Sequence, residues 1–113
     1  MINEKEYAEF VGHVNLYKSA VPNSRRELLA VLALGLNEEA GEVAGKIKKA
    51  TRDVWDFPAM ENAVCRELSD VLWYMTAMCN ALGVTMQELR DINHDKLSDR
   101  VSRGTLQGSG DNR

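Results

Sequence analysis

Residues 58–83, PAMENAVCRELSDVLWYMTAMCNALG, decide the fold of this 113-residue chain. Apolar side chains recur in this stretch at helical spacing: Met60, Val64, Leu68, Val71, Leu72, Met75 and Cys79. Proline is favoured in the first turn of a helix, and glycine is favoured just after the last turn. The stretch therefore predicts a helix from about Pro58 to Leu82 that ends before Gly83.

Three further helices are predicted from their capping residues. Each begins with Asn, Ser or Thr followed three positions later by Glu, a pair that satisfies the first free backbone N–H groups of a helix. No segment alternates apolar and polar residues as a half-buried strand would. The chain is therefore predicted to be all-α, an antiparallel four-helix bundle. The three helices are predicted from Asn3 to about Lys18, from Ser24 to about Ala50 and from Thr85 to about Val101.

The segments between and after the helices are predicted as loops. SAVPNS at 19–24 and the stretch leading to Pro58 lack a helical period, and the ending is rich in Gly, Ser and Asp. We expect one helical domain at 1–103 and a Gly-rich tail at 104–113. The tail could close over bound phosphate through Arg103 and Arg113, or it could be disordered, and the sequence leaves both alternatives open.

Composition and charge narrow the class of protein. Hydrophobic residues make up 44% and charged residues 27% of the chain, as in ordinary globular domains. Proteins that bind nucleic acids usually have a basic surface, so the net charge of −3 argues against a nucleic-acid partner. No apolar run is long enough for a membrane span, and the start, MINEKEYAEF, lacks the apolar stretch of a signal peptide. We therefore expect a cytoplasmic protein without a membrane partner.

The second predicted helix carries acidic residues close to its apolar face. On a helical wheel Glu39 falls in line with Leu28 and Leu32. Glu42 lies a short rotation away, and Glu38 lies a little further out. These carboxylates are predicted to border the core.

The third predicted helix repeats this pattern. Glu67 falls among Met60, Val64 and Val71, and Asp70 follows one turn later. Carboxylates crowded beside a core repel one another and need a compensating cation. Hard divalent cations accept several carboxylate oxygens, so two such acidic pairs on packed helices predict a site for Mg²⁺ or Mn²⁺.

The acidic residues of the two helices have two other interpretations. They could form a solvated face paired with Lys46, Lys48 and Arg66, the usual situation of charged residues on helices. A di-iron bundle is a rival metal site, but its helices carry Glu-x-x-His. The third residue after Glu42 is Gly45, so iron is disfavoured.

The fourth predicted helix carries a polar row. Asn93, Lys96 and Arg100 lie at i, i+3 and i+7 and share one face. Alone they would suit an exposed surface. Next to acid-bound metal, however, such donors can neutralise phosphate groups and stabilise a transition state.

These motifs resemble the MazG-like family of all-α nucleoside triphosphate pyrophosphohydrolases. The family signature EExxE, a spacer and ExxD is matched by NEEAGE at 37–42 and ELSD at 67–70, and NHDKLSDR at 93–100 is similar to its phosphate-binding segment. The resemblance covers residues 28–101, and the tail resembles that of short bacterial and phage members. It implies a fold of the all-α NTP pyrophosphatase type, assembled as a homodimer or a homotetramer built as a dimer of dimers.

The resemblance also implies roles for individual residues. Asn93, Lys96 and Arg100 would bind the phosphates of a nucleoside triphosphate substrate. Glu38 would bind an additional ion or orient the attacking water. The expected Mg²⁺ ligands, with Mn²⁺ as a possible substitute, are Glu39, Glu42, Glu67 and Asp70.

The implied reaction converts an NTP or dNTP to the monophosphate and pyrophosphate, in nucleotide-pool housecleaning. Two alternatives stay open: a catalytically silent helical module that binds a nucleotide or a protein, and a pyrophosphatase specific for dUTP or dCTP. Some aromatic residues could stack on a nucleobase, but aromatics at helical spacing also form cores, so they are left outside the predicted site. These aromatics are Trp55, Phe57, Trp73 and Tyr74.

Overall fold

The computed structural model describes residues 1–20 and 24–113 of the chain. Within these ranges every regular element is a helix, so the predicted all-α fold with four long helices is confirmed. Two compact units are present, Met1–Gly83 and Val84–Arg113. The predicted domain boundary at residue 103 stays a prediction. The helices are α1 (Glu4–Val14), α2 (Tyr17–Ala20), α3 (Arg25–Arg52), α4 (Phe57–Leu82) and α5 (Met86–Ser102).

The predicted capping residues begin and end the long helices. Asn3 and Thr85 form full capping boxes with Glu6 and Glu88, and the Ser24 side chain accepts from the Glu27 N–H. Gly83 ends α4 with a positive φ of 73°, a conformation that glycine adopts without steric cost. Asp56 caps α4 one residue earlier than predicted, because its side chain accepts the Ala59 N–H. Contacts between neighbouring residues therefore determine these helix ends.

The predicted end of the first helix was wrong. It was expected to run to Lys18, but α1 stops at Val14 and a short α2 begins at Tyr17. The Asn15 side chain accepts the Tyr17 N–H at 3.1 Å, an Asx turn that competes with helical hydrogen bonding. The predicted loop at 19–24 is also shorter, since α2 reaches Ala20, and its residues 21–23 lie outside the described residues.

The core of the first unit is small and lies where α1, α3 and α4 meet. Val11, Leu32 and Ala77 are almost completely buried. The predicted apolar stripe of α4 is buried only in part: Leu68 and Leu72 are 49% and 42% exposed. The helical periodicity therefore locates α4 without showing which of its apolar residues are buried.

A close approach between α3 and α4 explains Gly35. Gly35 is buried, and a Cβ at this position would overlap the ring of Tyr74. The Tyr74 hydroxyl in turn forms a 3.0 Å hydrogen bond with that of Tyr17. Because Gly35 has no side chain, the Tyr74 ring can pack against α3. The hydrogen bond with Tyr17 then connects Tyr74 to α2.

The second unit consists of α5 and the tail. Arg100 is 5% exposed, and its Nη2 donates to the Asp111 carbonyl at 2.9 Å. Arg103 donates to the Arg113 carbonyl, and Arg113 donates to the carbonyls of Gly110 and Leu106. The tail contains no helix, as predicted, but its arginines hold it in a defined conformation. None of the described helices is long and apolar enough to span a membrane.

Candidate metal centre

Three of the predicted carboxylates converge between α3 and α4. Glu39 comes from the middle of α3, and Glu67 and Asp70 come from successive turns of α4. One oxygen from each lies within 4.8 Å of the others. Glu39 and Glu67 are half-buried, and Asp70 is exposed. The packing of two helices therefore produces the acidic cluster that their spacing predicted.

The electrostatics of the cluster are unfavourable without a cation. The pKa of Glu39 is raised, first by desolvation and then by the negative charges of Asp70, Glu38, Glu67 and Glu42. The pKa of the Tyr7 hydroxyl is also raised, by burial and by the charge of Asp70. A site that penalises the charged form of its own carboxylate favours the binding of positive charge.

Glu38 and Glu42 take different positions from the three clustered acids. Both are exposed on α3, and neither belongs to the group of converging oxygens. Their charges nevertheless act on Glu39. They are close enough to contribute to the field of the cluster, and their predicted roles in metal binding and catalysis stay predictions.

The geometry of the three carboxylates fits a small divalent cation. Oxygens that bind Mg²⁺ at about 2.1 Å lie at most about 4.2 Å apart. The three oxygens lie within 4.8 Å of one another, close enough for side-chain rotation to bring them to ligand distance around one ion. An all-oxygen, all-carboxylate set is also the ligand chemistry that Mg²⁺ and Mn²⁺ prefer.

One cation already contacts the cluster. Lys46 Nζ lies 3.1 Å from Glu67 Oε1, which joins α3 to α4 on the side of the acids. The alternative of a solvated face paired with lysine and arginine is thus realised for one pair. Lys46 balances a single charge, however, whereas five carboxylates act on or belong to the cluster. The remaining negative charge favours the binding of a further cation.

A cleft of about 550 Å³ adjoins the acids. Glu39 and Asp70 lie at its edge, and Trp73 and Tyr74 form an aromatic wall. Tyr17 also lines the cleft. The sequence did not indicate this, because the position of Tyr17 depends on the interruption of the helix at Asn15. The cleft is within the 300–1,000 Å³ typical of small-molecule sites. The structure thus places two of the candidate stacking residues beside the acidic cluster.

The other two candidate aromatics, Trp55 and Phe57, are each 54% exposed and do not line this cleft. The predicted phosphate row belongs to the second unit. Asn93 and Lys96 are exposed, whereas Arg100 is buried against the tail. The three residues therefore differ in accessibility although they share one face of α5, and their role stays a prediction.

The described residues form helices and no strands, and two packed helices bring three carboxylates together. These features define a class, namely helical proteins with an acidic cluster that could hold a metal ion. A family model described as the MazG nucleotide pyrophosphohydrolase domain matches residues 28–104. The chain therefore belongs to the MazG family, and the resemblance noted in the sequence is confirmed. Membership supports a nucleotide substrate and nucleotide pyrophosphohydrolase activity in general, with a divalent metal ion.

A phage protein is similar over nearly the whole chain. It is called Gene 37 protein, from Mycobacterium phage L5, and is 37% identical to this chain over an alignment of 113 positions, gaps included, that covers 89% of this chain and 99% of the relative. Its name does not describe an activity. No solved structure matches the chain significantly.

Proposed function

We propose that the protein is a Mg²⁺-dependent nucleoside triphosphate pyrophosphohydrolase that converts an NTP or dNTP to the monophosphate and pyrophosphate, in nucleotide-pool housecleaning. The observation that carries this proposal is the convergence of Glu39, Glu67 and Asp70 from two packed helices. These are three of the five acids in the EExxE and ExxD motifs of the family that the chain belongs to.

In this proposal Glu39, Glu67 and Asp70 hold Mg²⁺, or Mn²⁺ in its place, and Glu42 completes the set from the next turn of α3. The bound ion would neutralise phosphate charge and lower the pKa of a water molecule. Glu38, exposed on the same helix, orients the attacking water.

The proposed reaction is a hydrolysis in which water attacks the α-phosphorus or its neighbour, and either attack gives the same products. Attack at the α-phosphorus makes one bond and breaks one bond. The oxygen of one water molecule bonds to phosphorus, the bond from the α-phosphorus to the bridging oxygen breaks, and pyrophosphate leaves with that oxygen. One proton passes to the solvent, and no covalent intermediate with the protein is needed. Asn93, Lys96 and Arg100 are the proposed donors to the phosphate groups.

The cleft beside the acids is proposed to take the nucleoside. Its volume of about 550 Å³ suits a base and sugar, and Trp73 and Tyr74 present aromatic surface next to Glu39 and Asp70. A nucleoside seated there would bring its α-phosphate towards the carboxylates. Stacking on aromatic rings tolerates different bases, which suits a housecleaning enzyme.

The test is a pyrophosphate-release assay over standard and modified NTPs and dNTPs with and without Mg²⁺. We expect release that requires the metal and falls roughly a hundredfold or more in Asp70→Asn, since a metal ion contributes several kcal/mol of transition-state stabilisation. Glu61→Gln is the matched control, because Glu61 is exposed on the same helix outside the cluster and should retain activity.

Thermal unfolding gives a second measurement on the same proteins. Mg²⁺ at a hundred times its Kd would stabilise the wild type by about 2.7 kcal/mol, and this increase should disappear in Asp70→Asn. A folded wild-type protein that binds nucleotides but releases no pyrophosphate would instead indicate the silent binding module. Release confined to dUTP or dCTP would indicate the specialised enzyme.

A further inference from the structure

A second cleft is lined by Glu67 of the acidic cluster. It has a volume of about 410 Å³ and is lined by Lys46 of α3 and by a row of α4 side chains that includes Asn62, Arg66 and Glu67. Two alanines, Ala59 and Ala63, complete the lining. The cleft therefore combines two cations and an amide with one carboxylate of the acidic cluster.

The two cations differ in their present contacts. Lys46 Nζ is 3.1 Å from Glu67 Oε1, and the side chains of the pair are 33% and 16% exposed. Arg66 is exposed, and its guanidinium has no ion-pair partner among the residues that the structure describes. One cation thus holds the acid, while the other is available to an anion from solution.

Lys46 and a divalent cation in the cluster would compete for the same Glu67 carboxylate. A carboxylate oxygen that binds a metal ion loses much of its attraction for an ammonium group, and the two cations repel each other. Lysine side chains are long and flexible, so Lys46 can turn away without any movement of α3. The groups it then meets are those of the cleft, where an anion would balance its charge.

We propose that this cleft binds the terminal phosphates of the nucleoside triphosphate, with Lys46 and Arg66 as donors, and that Lys46 pairs with Glu67 only until a divalent ion takes that carboxylate. The inference rests on the proposed function and adds phosphate-binding residues from α3 and α4 to it. Lysine binds phosphate as a point charge and arginine binds it with paired N–H groups, so the two side chains complement each other.

The first experiment measures Mn²⁺ binding without nucleotide, by the electron paramagnetic resonance signal of the free ion. In Lys46→Met the competing ammonium group is absent, so Mn²⁺ should bind roughly two- to fivefold more tightly, the range expected for removal of a partly exposed ion pair. Lys48→Met is the matched control, since Lys48 is exposed on the same helix outside this cleft and should leave the affinity unchanged. An unchanged or weaker affinity in Lys46→Met would overturn the exchange between the two cations.

The second experiment measures, at saturating Mn²⁺, the binding of an NTP analogue with a non-hydrolysable α–β bridge. Lys46→Met and Arg66→Met should each weaken binding roughly tenfold, whereas Lys46→Arg should retain most of it. Normal analogue binding in both Met variants would overturn the phosphate site, even if Mn²⁺ bound more tightly. Pyrophosphate release by the wild type is measured separately, so failure of the proposed activity and failure of this inference are distinguishable.

Discussion

At the scale of single residues, Tyr74 connects the structural and the functional parts of the first unit. The pKa of its hydroxyl is raised to about 12, first by the hydrogen bond with Tyr17, then by burial, and then by the charges of Tyr17, Glu39 and Glu38. Its ring also lines the cleft beside the acids. The same side chain therefore reports on the packing and on the charge of the site.

We predict that Tyr74 stabilises the folded chain in a pH-dependent way. Because the raised pKa favours the protonated form in the folded chain, the unfolded chain loses this proton first. The contribution of Tyr74 to stability is thus present below pH 10 and is lost as the pH rises from about 10 to about 12. Ring-carbon NMR shifts should show Tyr74 titrating near pH 12, and Tyr17→Phe should lower that pKa towards 10.

The control is Tyr7→Phe, since Tyr7 is not a hydrogen-bond partner of Tyr74. A Tyr74 pKa that stays the same in Tyr17→Phe would contradict the assigned cause.

The sequence predicted which acids face the core, but not every contact that these acids make in the structure. Helical periodicity placed Glu39, Glu67 and Asp70 on inward faces, and the structure brings them together. The solvated-face alternative named Lys46 among the partners of these acids, but its contact with Glu67 in particular depends on the register of α3 against α4. Contacts within one helix follow from spacing, whereas contacts between helices need the packing.

At the scale of helices, the close approach of α3 and α4 depends on Gly35. In Gly35→Ala the added Cβ would overlap the Tyr74 ring, and overpacking of this kind costs about 1–3 kcal/mol. We expect chemical denaturation to show a loss of this size. Replacing Tyr74 by Leu in the Gly35→Ala background should restore part of it.

Gly45→Ala is the matched control for this prediction. Gly45 lies in the same helix, and no atom approaches its Cβ position within 4 Å. The substitution should stabilise the protein by roughly 0.5–1 kcal/mol because alanine favours the helix. Equal effects at the two glycines would show that helix propensity, and not the contact with Tyr74, decides the outcome.

Helix ends were more predictable than helix faces. Asn3, Ser24, Gly83 and Thr85 act within a few residues of themselves, so their capping roles follow from sequence. The break at Asn15 was missed because an asparagine side chain can either face solvent from a helix or bond the backbone. Local chemistry offers both conformations there, and packing of the chain selects one.

At the scale of the whole molecule, exposed apolar residues support the predicted assembly of two or four copies. Leu68 and Leu72 lie one turn apart on α4 and are 49% and 42% exposed. We expect sedimentation to show a dimer or tetramer at micromolar concentration, and Leu72→Glu to shift it towards the monomer. The control is Leu106→Glu, which places the same charge on an exposed leucine of the tail. A monomeric wild type would contradict the predicted assembly.

The tail carries a consequence for the evolution of the chain. Surface segments usually accept insertions and deletions between relatives. Residues 104–113 combine three glycines with positive φ, Gly104, Gly108 and Gly110, with an Arg113 side chain that reaches back to Leu106. Adding or removing one residue would shift Arg113 and the Asp111 carbonyl that Arg100 contacts. Relatives of this protein should therefore keep the length of the tail, its three glycines with positive φ and Arg113, while the other residues of the tail vary more freely.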